Sequence, residues 1–132
     1  MLFAAAGAEA RSPGFEPAML TISTADGRSR EVRVQSERQL RDALRLCFGK
    51  AQCEDISIET CDRCSLQAEA TYGGYLIHSR LGPPGPLYEL RDKRRGRRGS
   101  KVFGLQDVKT IFVDYLTGRE TIPLDRRDTG EI

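Results

Sequence analysis

Residues 20–24 (Leu-Thr-Ile-Ser-Thr) and 31–35 (Glu-Val-Arg-Val-Gln) alternate apolar and polar side chains, the period of a strand with one buried face. Asp26-Gly27 between them supplies a turn whose Gly takes a positive φ, so the spacing predicts a hairpin. Ser36 with Gln39 three residues on is a capping-box pattern, and Leu40, Ala43, Leu44 and Cys47 follow at helical spacing, with Gly49 as a stop. Strand alternation returns at 55–60, with Ile56 and Ile58 on one face, and at 65–72, with Leu66, Ala68 and Ala70 aligned. Gly73-Gly74 turns the chain into a strand at 75–80. The run Pro83-Pro84-Gly85-Pro86 cannot be strand interior, and 87–91 is a further strand. Leu105, Val108, Ile111, Phe112, Tyr115 and Leu116 make the strongest helical stripe, closed by Gly118. From Arg119 the charges are mixed and little is left that could pack.

Consecutive strands joined by short turns imply an antiparallel sheet, so the expected class is α+β. The order is strand-strand-helix-several strands-helix, in a single sheet with two amphipathic helices on one face. Leu40, Leu44, Val108, Ile111 and Phe112 should point at the sheet. The expected organisation is an N-terminal extension at 1–18, rich in Ala, Gly and Pro, one α+β domain at 19–122, and a tail at 123–132. A chain of 132 residues fits a single domain that needs neither metal nor disulfide staples. No apolar run approaches the ~20 residues that span a bilayer, so no membrane partner is expected. The start, Met1-Leu-Phe-Ala-Ala-Ala-Gly-Ala, has no basic residue ahead of its short apolar stretch, unlike a signal peptide, and the expected location is cytoplasmic.

Charge changes the picture at 91–101, which reads Arg-Asp-Lys-Arg-Arg-Gly-Arg-Arg-Gly-Ser-Lys. Its seven cations and one anion give +6 against +2 for the whole chain, which leaves −4 on the other 121 residues. Arg91, Lys93, Arg94, Arg95, Arg97, Arg98 and Lys101 are therefore the candidate partner-binding residues. Docking on an acidic protein surface is one reading, since such a segment speeds association. Contact with nucleic acid is the other, although the stacking aromatics of that class are missing from the cluster and only Tyr88 and Phe103 flank it. A solvated hairpin tip with no partner is the bland alternative. As a tip flanked by Gly, the segment should contribute little to the core, so replacing Arg94, Arg95, Arg97 and Arg98 by Ser should leave the fold intact.

Cys47, Cys53, Cys61 and Cys64 fall within 18 residues, and Cys61-Asp-Arg-Cys64 has the C-x-x-C spacing of a zinc ligand pair. Against zinc, Cys47 lies on the apolar face of its helix, where a thiol packs as a small hydrophobe, and C-x5-C is not a typical ligand pair. The expectation is four reduced cysteines with no metal, a redox-sensitive pair being a lesser option. His78 is the only histidine and has no partner nearby in sequence, so it reads as structural or solvent-facing. Gly73-Gly74 precedes no helix and reads as a turn rather than a phosphate loop. No acid, base and nucleophile set stands out, so the expectation is a non-enzyme without cofactor or catalytic residues.

The layout carries a resemblance. The Asp26-Gly27 hairpin, the Ser36-Glu-Arg-Gln-Leu helix start, Tyr72-Gly-Gly-Tyr-Leu and the closing helix at 104–120 resemble small immunity proteins of bacterial polymorphic-toxin systems. The similarity is to the Imm-type family found beside deaminase toxins and covers about residues 19–122. The chain departs from that family's pattern in having no Trp after the closing helix. The resemblance implies a non-enzymatic inhibitor that binds a toxin protein, and it assigns no individual toxin contact. The alternative is a mobile-element cargo or accessory protein whose basic segment contacts nucleic acid. The apolar N-terminus and open sheet edges lead us to expect a homodimer.

Overall fold

The computed structural model describes residues 14–47, 53–60, 64–80, 85–96 and 99–130. Along them run β1 (Ala18–Thr24), β2 (Ser29–Val34), α1 (Glu37–Cys47), β3 (Cys53–Thr60), β4 (Ser65–Thr71), β5 (Gly74–Arg80), β6 (Leu87–Asp92), β7 (Val102–Phe103), α2 (Leu105–Thr117) and β8 (Leu124–Asp128). The strands form one antiparallel sheet in the order β2-β1-β3-β4-β5-β6-β8. The short β7 pairs with the first half of β5, and β6 pairs with the second half. This is the α+β architecture that the alternating segments imply.

Local chemistry explains where the elements begin and end. At the β1–β2 turn Gly27 sits at φ 86, and the Asp26 carboxylate accepts from the Thr24 hydroxyl and the Arg28 N–H. Those bonds, that of Thr24 first, hold the Asp26 carboxyl below its ordinary value. The Ser36 hydroxyl accepts from the Gln39 N–H at 3.1 Å, while the Gln39 side chain reaches back to the Gln35 N–H at 2.7 Å. The capping box is therefore reciprocal, with the back-bond one residue further out than usual. α2 ends where Gly118 turns left-handed at φ 73 and the Arg119 N–H bonds the Asp114 carbonyl.

Cross-strand neighbours share a face, so register decides the core. Leu20, Ile58 and Leu66 line up across β1, β3 and β4, and Ile22, Ile56, Ala68 and Ile77 form the next row; all are buried. Both helices cover this face, and Leu40, Leu44, Val108, Ile111 and Phe112 are at most 2% exposed. No described helix is long and apolar enough to cross a membrane.

The end of the N-terminal extension and the segment after Arg119, the latter expected to pack little, both supply core residues. Phe15, ahead of β1, is 1% exposed, and its neighbour Glu16 donates its N–H to the Leu116 carbonyl at 2.8 Å. The mixed-charge stretch after Arg119 buries Ile122 and Leu124 and becomes the edge strand β8. The connection is held by Asp114, itself buried, whose carboxylate accepts from the Thr121 N–H at 2.7 Å and the Thr121 hydroxyl at 3.1 Å. A Cβ on Gly74 would lie 2.4 Å from the Phe103 carbonyl oxygen, so only Gly lets β7 close on β5.

Candidate functional site

The basic segment leaves the sheet at the end of β6. Its base is tied: Asp92 and Ser100 exchange backbone hydrogen bonds at 2.8 and 3.2 Å, and the Lys93 N–H bonds the Pro123 carbonyl. Gly96 and Gly99 have positive φ, and a Cβ on Gly99 would press within 3.0 Å of the Asp92 carbonyl oxygen.

Alternation along β6 puts Leu90 and Asp92 on the core face, and Asp92 is 1% exposed. A buried carboxylate needs donors. Arg94 grips it with two parallel bonds, Nε to Oδ1 at 2.9 Å and Nη2 to Oδ2 at 2.8 Å, and adds its own backbone N–H at 2.9 Å. The same Nη2 donates to Asp107 in the first turn of α2 at 2.9 Å, and Arg95 approaches Asp92 at 3.4 Å. The Arg94 guanidinium holds the Asp92 carboxyl down at about 2, below its ordinary 3.8, and its own pKa is raised in turn.

The seven candidate cations thus have different duties. Arg94 and Arg95 neutralise Asp92, and Arg91 pairs with Glu89 at 3.0 Å on the opposite face of β6. Lys93 and Lys101 are exposed and make no ion pair among the described residues. Arg97 and Arg98 lie outside the described residues. The expectation that replacing Arg94 and Arg95 leaves the fold intact needs correction, because losing Arg94 would strand a buried charge. The signal was present: extending the period of β6 by one residue carries Asp92 inward.

The sheet face away from the helices is mostly polar, broken by Met19, Leu76 and Leu87. One row runs through all seven long strands, Glu31–Thr21–Ser57–Gln67–His78–Glu89–Arg127. His78 stands half-buried in that row, between Gln67 and Glu89. Of the cysteines, Cys53 is buried at the start of β3, whereas the Cys64 carbonyl accepts from the N–H of Thr60 at the far end of that strand. An eight-residue strand puts them on the order of 20 Å apart, so one zinc ion cannot take both. Cys61 and the Cys47 side chain lie outside the described residues.

Between α2 and the sheet, Ser79, Asp114 and Tyr115 help line a space of about 100 Å³, smaller than the roughly 300 Å³ at which small-molecule pockets begin. Tyr72, in the β4–β5 turn, is fully exposed. Because β5 and β6 are antiparallel, this turn and the basic loop leave the same end of the sheet. Neither composition nor charge flagged Tyr72; its place just before Gly73-Gly74 is the only signal. Comparison with protein-family models, curated proteins and solved structures finds no match to this chain.

Proposed function

We propose that the chain is a small non-enzymatic binding protein, an inhibitor of the immunity type, acting in the cytoplasm as a homodimer. Its basic loop docks on an acidic surface of a partner protein, a bacterial toxin in the immunity reading. The observation that carries the reading is the clamp of Arg94 on Asp92 and Asp107. It fixes the base of the loop that displays the exposed Lys93 and Lys101, which lowers the entropic cost of docking, and Arg97 and Arg98 add charge to the same segment of the sequence. The remaining 121 residues carry −4, which opposes wrapping a polyanion around the body. Fully exposed Tyr72 at the same end of the sheet supplies an aromatic anchor of the kind that dominates protein interfaces.

A second reading, a nucleic-acid-contacting accessory protein, draws on the same Tyr72, which offers a face for base stacking. Titration with short RNA and DNA, single-stranded and duplex, at near-physiological salt separates the two. The protein reading predicts no tight complex. Tight binding that falls steeply with salt, at a slope set by the phosphates contacted, overturns it.

A further inference from the structure

β2 ends the sheet, and among the described residues no strand pairs with its outer edge. The Thr24 N–H bonds the Arg28 carbonyl at the turn, which sets the alternation of hydrogen bonds along the hairpin. Arg30, Val32 and Val34 therefore direct their backbone groups to Ile22, Leu20 and Ala18 of β1, and Ser29, Glu31 and Arg33 direct theirs outward. The side chains of Glu31 and Arg33 are exposed on the polar face and make no ion pair among the described residues. Val32, half-buried on the helix face, lines a groove of about 270 Å³ with Arg30, Gln39, Asp42 and Ala43.

A strand joining this edge must match outward groups with outward groups, so only registers offset by two residues are open to it. For a second copy of β2 related by a two-fold axis, the alternatives differ sharply. One register sets Glu31 against Glu31, another Arg33 against Arg33 and another Arg30 against Arg30, and like charges directly opposite repel. The register centred on Val32 instead sets each Glu31 opposite the Arg33 of the other copy, with Val32 meeting Val32. We propose that a second copy of this chain docks on β2 in that register and joins the two sheets into one.

The other edge does not offer this complementarity. Along β8 the Thr129 N–H bonds the Leu87 carbonyl, which leaves Leu124, Arg126 and Asp128 facing outward. Matching Arg126 with Asp128 there sets Arg127 against Arg127. Arg126 and Arg127 are also already engaged, by Glu120 and Asp125. Pairing β2 with β8 would be head-to-tail and would give a ring or a filament, not a two-fold dimer. The proposal specifies the surface and register of the dimer and does not depend on the basic loop, because β1, β3, β4 and β5 separate β2 from β6.

Sedimentation velocity of the full chain across micromolar concentrations tests the proposal, with Glu31→Arg, Arg33→Glu, their equimolar mixture and the double swap. The wild type should dimerise, and each single variant should dimerise at least about tenfold more weakly, because both cross-pairs become repulsive. The mixture should recover a heterodimer, since one variant then carries two arginines on its edge and the other two glutamates. The double swap should recover the homodimer. Melting temperatures serve as the folding control, and recovery on mixing cannot come from misfolded chains. A wild type that stays monomeric, single variants that dimerise as it does, or a mixture that stays as dissociated as the single variants would each overturn the proposal.

Discussion

Replacing Arg94 by Ala removes both parallel bonds to a carboxylate that is 1% exposed and leaves Asp92 with the backbone N–H of residue 94 and the longer contact from Arg95. Breaking a buried pair by deleting one partner costs about 3–5 kcal/mol. The surviving donors and the 44% exposure of Arg94 argue for less. The depression of Asp92 from 3.8 to about 2 points the same way, to about 2 kcal/mol. Most of that belongs to Arg94, so the expected loss at pH 7 is about 2 kcal/mol, some 8 °C in melting temperature for a chain of this size. Because the folded value is the lower one, this stability is fully present above about pH 4 and is lost as pH falls through about 2. Urea denaturation of both proteins at pH 7 and near pH 2 reads the difference. The penalty should shrink to a small fraction at the acid end. A loss below about 0.5 kcal/mol at pH 7, the level of an ordinary surface substitution, or an equal loss at both pH values, would refute the clamp.

Three further outcomes are expected. Gly74→Ala should cost at least about 2 kcal/mol in urea denaturation through overpacking against the Phe103 carbonyl, and a loss below about 0.5 kcal/mol would contradict that close approach. Leu124→Ala should cost about 2–3 kcal/mol in the same assay if β8 belongs to the core, and a near-neutral result would return that segment to a loose tail. Metal analysis of protein purified without chelator should find no stoichiometric zinc; about one ion per chain would overturn the reading of the cysteines as unliganded thiols.

Much of the fold was legible because its signals are local. The Asp26-Gly27 turn, the reciprocal box of Ser36 and Gln39 and the stripe from Leu105 to Leu116 each specify their element within a few residues. What escaped depends on contacts distant in sequence. β8 has one apolar residue, Leu124, and becomes a strand only because β6, more than thirty residues earlier, offers it an edge. Phe15 lies in a segment with no period, and its neighbour Glu16 is tied by its N–H to Leu116 of α2, far along the chain. Within the candidate site, charge marked the segment but made its cations look alike. Only burial of Asp92 separates Arg94, which holds the loop, from Lys93 and Lys101, which face outward.

The central claim is that outward cations on an anchored loop steer an acidic protein partner. Its most direct test is the association rate with an acidic protein partner recovered by pull-down, measured by stopped flow over a salt series. The variant to compare replaces Lys93, Arg97, Arg98 and Lys101 by Ser and keeps Arg94 and Arg95. The account predicts slower association and a blunted salt dependence at an unchanged melting temperature. Association as fast and as salt-sensitive as the wild type would contradict it.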